Sequence, residues 1–166
     1  MLIDLRKFFA DEAASMNIDY SFSMKDTEID GEYPFRTPVC VKGVIKPFAG
    51  SAVLDATVEY DLTKNCDRCA EEFTKHYSFD VSHTIVRELS NEEDDDSYIV
   101  AEFDELDLDE LIYSDIILEM PVKFLCRDDC KGLCPTCGAN LNQGPCECSK
   151  TQIDPRMEIL RKLIDD

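Results

Sequence analysis

Six cysteines crowd the stretch Cys126–Cys148, CRDDCKGLCPTCGANLNQGPCEC, at spacings C-x3-C-x3-C-x2-C-x8-C-x-C. A segment with this little apolar content cannot find its fold by packing. Its centre, Cys134-Pro135-Thr136-Cys137-Gly138, has the form of a zinc knuckle. Two thiolates three positions apart on a tight turn can both reach one ion at roughly 2.3 Å. Pro135 presets φ on the turn, and Gly138 supplies the unhindered φ with which the chain leaves it. Bound zinc then contributes the folding energy that packing does not. The candidate metal ligands are Cys126, Cys130, Cys134, Cys137, Cys146 and Cys148. Cys134 and Cys137 lead, and spacing alone does not choose the other two. Six thiolates exceed the need of one tetrahedral ion, so either two are spare or metals share sulfurs. An all-thiolate site leaves no position open for water, which points to a structural zinc and not a hydrolytic one. An iron–sulfur cluster is the alternative metal.

Cys66-Asp67-Arg68-Cys69 admits three readings. It is a second metal half-site, a redox-active pair, or an unmetallated structural pair. A redox C-x-x-C normally opens a helix after a strand, because the helix N-terminus lowers the thiol pKa. Strand-like sequence follows here instead. Cys40 falls on a predicted strand and is expected as a buried small hydrophobe.

At 166 residues the chain suits one domain, or one domain with a small appendage. Its 44% hydrophobic content is enough for a core, which argues against wholesale disorder. A net charge of −19 repels nucleic acid and anionic membranes unless a local basic patch overrides it, and favours basic proteins as partners. Nine cysteines are an odd number and cannot all pair internally. The opening MLIDLRKFFADEAAS is not a signal peptide, and no window approaches the ~18 apolar residues of a membrane span. The expectation is a soluble protein of the reducing cytoplasm, where clustered cysteines signal metal or redox chemistry before disulfides.

Along the chain, residues 5–15 read as a short helix and residues 17–24 as a half-buried strand. Residues 25–36 are polar and turn-rich. From Pro38 to Leu89 the alternation is that of three long antiparallel strands, a meander with Cys66 and Cys69 at the tip between the second and third. Residues 91–110 hold eleven acidic side chains and no basic one. Their first part reads as a solvated mobile loop, with a docking site for a basic partner as the alternative. Tyr98 to Phe103 suits one further strand. Asp107-x-x-Glu110 resembles a capping box ahead of a helix that carries Leu111, Ile112, Ile116, Ile117 and Met120 and stops at Pro121. Asp154-Pro155 opens a closing helix with Met157, Leu160, Leu163 and Ile164 on one stripe. The fold class is therefore α+β: an antiparallel β-meander packed by helices over residues 1–121, then a zinc-knuckle segment and closing helix over 122–166.

No enzyme is visible. The two histidines, His76 and His83, lie within the third strand, and His83 shares its apolar face. Phosphate-cradling glycine motifs and a nucleophile elbow are lacking. Lys123, Arg127, Lys131 and Lys150 form a small basic patch, extended by Arg156, Arg161 and Lys162. Such a patch touches a few phosphates but is not a footprint that holds RNA alone.

Three blocks carry a resemblance. They are Cys66-Asp67-Arg68-Cys69-Ala70-Glu71-Glu72-Phe73; Met120-Pro121 with Cys126 and Cys130-Lys131-Gly132-Leu133-Cys134-Pro135-Thr136-Cys137-Gly138-Ala139-Asn140-Leu141-Asn142; and Cys146-Glu147-Cys148 with Ile153-Asp154-Pro155-Arg156. In their order and spacing the chain resembles the bacterial YceD family, the large ribosomal RNA subunit accumulation proteins, which has plastid relatives. The resemblance implies a non-enzymatic role in synthesis, processing or stability of large-subunit (23S) rRNA, and carries over no catalytic residue. The acidity suggests that the partner is a basic ribosomal protein or an rRNA–protein assembly of the large subunit, with direct rRNA contact as the alternative. Two rivals come from other classes: a thiol–disulfide oxidoreductase using Cys66 and Cys69, and a zinc-dependent nucleic-acid-binding regulator.

Overall fold

The computed structural model describes residues 1–10, 14–88 and 98–148. In chain order its elements are β1 (Leu2–Asp4), α1 (Arg6–Phe9), β2 (Met16–Phe22), β3 (Val39–Phe48) and β4 (Ser51–Asn65). Then follow β5 (Glu72–Val86), β6 (Tyr98–Val100), β7 (Glu105–Asp107) and α2 (Leu108–Glu119). The main sheet has the order β2-β3-β4-β5-β6, antiparallel except that β6 runs parallel to β5. β1 and β7 pair antiparallel in a separate two-stranded ribbon.

Period-two alternation explains the sheet. Ala52, Leu54, Ala56, Val58, Tyr60 and Leu62 of β4 are all buried, as are Val39, Val41 and Ile45 of β3. They share one core with Leu108, Ile112 and Ile116 of α2 and with Leu5, Phe8 and Phe9 near the N-terminus. The β3–β4 connection is a two-residue turn, with Ala49 at φ 48° and Gly50 at φ 78°. Two successive positive φ values make the turn type whose twist matches that of the flanking strands. Gly43 is required for a different reason. A Cβ there would lie 2.3 Å from the Asp55 carbonyl oxygen and 2.5 Å from the Ala56 Cβ, so β3 and β4 approach closer than any side chain permits.

α2 begins and ends where its sequence signals stand. The Asp107 carboxylate accepts a hydrogen bond from the Asp109 N–H at 3.1 Å, and Met120 leaves the helix with extended backbone ahead of Pro121. Among the described residues no helix is long and apolar enough to cross a membrane.

Several expectations are corrected. The N-terminal helix is a single turn, because Leu2–Asp4 are drawn into the ribbon with β7 and Ala10 already caps the helix; residues 11–13 lie outside the described ones. Cys40 is exposed, not buried, since Val39 and Val41 take the inward positions and leave it on the outer face. The extra strand is the three-residue β6, parallel to its neighbour rather than extending the meander. Ile117 lies on the outward side of α2. The acidic loop 91–96 and the closing helix lie outside the described residues.

Candidate metal centres

The β4–β5 hairpin ends in the turn that carries Cys66 and Cys69. The Ala70 N–H bonds back to the Cys66 carbonyl at 2.8 Å, with Ala70 at φ 57°. This tip is clamped to the segment that follows α2. The Asp67 N–H donates to the Phe124 carbonyl at 2.9 Å, and the Asp67 carboxylate accepts from the Phe124 N–H at 2.8 Å. The Arg68 guanidinium donates to the Cys130 carbonyl at 2.9 Å, while the Arg68 carbonyl accepts from the Leu133 N–H at 3.0 Å. Gly132, at φ 73°, crosses so close over Arg68 that a Cβ would meet its carbonyl oxygen at 2.9 Å. Beneath the clamp lies Lys64, 5% exposed, ion-paired to Asp30 with its ammonium 4.3 Å from the Phe124 ring centre.

The clamp brings Cys126 and Cys130 onto the hairpin pair. The four sulfurs of Cys66, Cys69, Cys126 and Cys130 lie within 4.8 Å of one another. Cys66 and Cys130 are 3.8 Å apart, Cys69 and Cys126 3.7 Å. Four sulfurs at roughly 2.3 Å from a central ion in a tetrahedron are separated by about 3.8 Å, whereas a disulfide would hold a pair at about 2.0 Å. The spacing is that of a metal cage. Cys66, Cys69 and Cys130 are buried and form a small cluster with Phe73 and Leu125 packed against it.

Four more cysteines form a second group, Cys134, Cys137, Cys146 and Cys148, also within 4.8 Å of one another. Its turn is the knuckle. The Gly138 N–H returns to the Cys134 carbonyl at 2.9 Å and the Cys134 N–H donates to the Ala139 carbonyl at 2.8 Å. Gly138, at φ 73°, makes the reversal. Only Cys134 of this group is buried, and Cys137 is exposed.

The thiols are polarised in the same sense in both groups. Burial pushes the Cys66 thiol up, but the backbone N–H groups of Cys126, Arg68 and Cys69 outweigh it and hold the thiol at about 6. The N–H groups of Cys137 and Thr136 bring Cys134 to about 6. Burial and the neighbouring Cys66 and Cys130 sulfurs push Cys126 up to about 12. The Cys137 sulfur, with burial, pushes Cys148 up to about 12. Four adjacent thiols cannot all carry negative charge by themselves. A divalent cation removes that conflict, so each group can hold a metal ion.

The six C-terminal cysteines therefore do not act as one cluster. Two join the hairpin pair and four stand alone. The motif spacing identified the residues; the partition needed the fold, because the first group closes across a chain separation of 57 to 64 residues. Asp67, Arg68 and Asn142, which position the sulfurs, stood within the blocks of the resemblance, but nothing in the sequence gave them that role. Of the basic patch, Lys123, Arg127 and Lys131 are exposed, but Asp128 and Asp129 are interleaved with them and Asp129 pairs with Arg127 at 3.5 Å. Lys150 lies outside the described residues. His76 pairs with Asp61 at 2.8 Å, and His83 reaches Asp115 of α2 at 2.9 Å, joining sheet to helix.

A family model described as large ribosomal RNA subunit accumulation protein YceD matches residues 54–164, which include both cysteine groups. The chain belongs to the YceD family. The Bacillus subtilis protein YlbN is 29% identical over 142 residues, covering 83% of this chain and 81% of that protein. Two plant relatives are each named large ribosomal RNA subunit accumulation protein YCED homolog 1, chloroplastic. The Arabidopsis thaliana protein is 26% identical over 86% of this chain, and the Zea mays protein 29% over 71%. The chain spans 51% of the length of each of these two. No solved structure matches the chain.

Proposed function

We propose that this chain supports accumulation of large-subunit rRNA as a non-enzymatic scaffold, shaped by zinc and binding a basic ribosomal protein or an rRNA–protein assembly. Family membership is the observation that carries this reading, since the residues matched include every cysteine of both groups. Zinc is the metal this reading takes: eight thiolates in two four-sulfur groups are the donor set of closed structural sites, and sulfurs within 4.8 Å of one another suit a single ion better than a cluster. The same cages weigh against an oxidoreductase. Cys66 and Cys69 each have a partner sulfur from the distant segment, and they sit on a hairpin tip and not at a helix N-terminus.

A protein partner fits the surface better than naked RNA. The net charge is −19, and the exposed lysines and arginine near the cages alternate with aspartates. The outward side of α2 offers exposed apolar side chains instead. Tyr113 and Ile117 lie one turn apart, Leu118 beside them is 84% exposed, and Val122 beyond the helix end is 96% exposed. Glu110 lies among them, and the helix carries no basic residue. Exposed apolar side chains interspersed with carboxylate suit an amphipathic basic segment.

The test is a pull-down at two salt concentrations, with and without nuclease, alongside rRNA profiling after depletion. Retention of basic ribosomal proteins after nuclease treatment and a selective fall in large-subunit rRNA are expected. Unchanged large-subunit rRNA on depletion removes the proposal, and loss of all partners on nuclease treatment moves the contact to rRNA itself.

A further inference from the structure

The two cages differ in how they are built. The first joins two elements distant in sequence, so freeing its ion requires parting the hydrogen bonds between Asp67 and Phe124 and between Arg68 and both Cys130 and Leu133. Three of its four cysteines are buried. The second is assembled wholly within residues 134–148, so a local fluctuation of that loop suffices to open it. Three of its cysteines, Cys134, Cys146 and Cys148, line a cleft of about 840 Å³ together with Lys131, Thr136 and Asn142. Solvent, a chelator or an acceptor thiol reaches the exposed Cys137 and the half-buried Cys146 and Cys148, whereas Cys134 is buried.

Two neighbouring side chains of the second loop reach across: Gln143 donates to Glu71 at the hairpin tip at 3.3 Å, and Asn142 reaches a sulfur of the first cage. Asn142 lies in the second loop, between Cys137 and Cys146. Its amide Nδ2 donates to the Cys130 sulfur at 3.3 Å, and its Oδ1 accepts from the Lys131 N–H at 2.8 Å. The Asn142 N–H is itself held by the Asn140 side chain at 2.9 Å, and the Leu141 N–H by the Gly132 carbonyl at 2.9 Å. The closed second loop therefore delivers an N–H to a sulfur of the first cage. Such outer partners orient a ligand and tune its affinity for the ion.

We propose that the chain holds two zinc ions at unequal sites: a permanent one at Cys66, Cys69, Cys126 and Cys130, and an exchangeable one at Cys134, Cys137, Cys146 and Cys148, with Asn142 coupling the second to the first. This rests on the reading above that the cages bind zinc. Exchange at the second site needs no redox step, because a zinc–thiolate bond is replaced by one to the competing ligand. Filling that site closes the loop that carries Asn142 and tightens the first site, while emptying it leaves the first ion in place but less firmly held.

The experiment is zinc release from the full chain, purified without chelator, into excess EDTA. Remaining zinc is measured by elemental analysis and the folded sheet is followed by circular dichroism. The expected result is two zinc ions per chain, leaving in two phases separated by at least about tenfold, the magnitude typical of outer-partner and access effects. In Cys137→Ser the fast phase disappears and one slowly released ion remains. In Asn142→Ala both ions bind but the fast phase accelerates by about tenfold, because the coupling is reciprocal and the slow phase begins only after the second site has emptied. Two ions leaving together from the unmutated protein overturn the proposal, as does loss of both ions in Cys137→Ser while the sheet stays folded. A chain that purifies folded and zinc-free fails at the earlier step, the metal reading itself.

Discussion

Asp67 shows how much of the first cage depends on a residue that is not a ligand. It sits between Cys66 and Cys69 and answers both the N–H and the carbonyl of Phe124, which fixes the height at which Cys126 arrives two residues later. Asp67→Ala leaves the Phe124 N–H without its acceptor and is expected to cost about 1–3 kcal/mol in urea unfolding of the zinc-loaded protein. Phe124→Ala removes a buried ring and the face over the Lys64 ammonium, with an expected loss of about 3–5 kcal/mol by the same measurement. The ligands themselves were legible, because C-x-x-C and C-P-x-C-G are local patterns with a local reason. Asp67 was not, since its partner lies 57 residues away and only the fold brings them together. Cys40 was misread as buried although its place was within reach: Val39 and Val41 claim the inward positions, and the same alternation that located the strand places Cys40 outside.

Among the elements, α2 was the most readable, because an N-cap aspartate and a following proline bracket it. Its outward side was obscured by apolar residues on nearly every side, which removes the contrast that normally separates an inner face from an outer one. Leu118 is 84% exposed, so the uncharged Leu118→Gln is expected to change stability by no more than about 0.5 kcal/mol. The same substitution should reduce recovery of basic ribosomal proteins in the pull-down, separating a binding role from a structural one. The β3–β4 turn invites the opposite kind of change. Ala49 is held at φ 48°, a conformation that costs a residue with a Cβ about 1 kcal/mol and that asparagine adopts readily. Ala49→Asn is therefore expected to stabilise the protein by up to about 1 kcal/mol, read as a raised melting temperature. The ribbon of β1 and β7 was the least legible part, since three-residue strands give no period and their partners lie far apart in the chain; β6 falls where a further strand was expected, but its parallel partner leaves no hairpin turn to find.

At the scale of the whole molecule, two sources of order meet at the hairpin tip. The sheet and α2 share a continuous apolar core to which none of the eight grouped cysteines contributes. The segment after Pro121 is different: beyond Phe124 its buried residues are chiefly cysteines, and its backbone hydrogen bonds run to the hairpin tip or within its own turns. Removing metal should therefore leave the sheet and release the segment. Lys123, Arg127 and Lys131 are exposed side chains set in backbone that the cages hold in place, which makes trypsin a direct probe of that division. With zinc bound, cleavage at Arg127 and Lys131 is expected to be slow, because a protease needs several residues of extended chain around the scissile bond and the two cages deny it. After chelation under reducing conditions, cleavage there should speed up by at least about tenfold, as expected when a segment opens by some 1.4 kcal/mol more readily. A core fragment ending near residue 123 should persist with its strand signal intact. If chelation instead makes the core as digestible as the segment, the ions support the sheet as well, and the apolar core is not sufficient by itself.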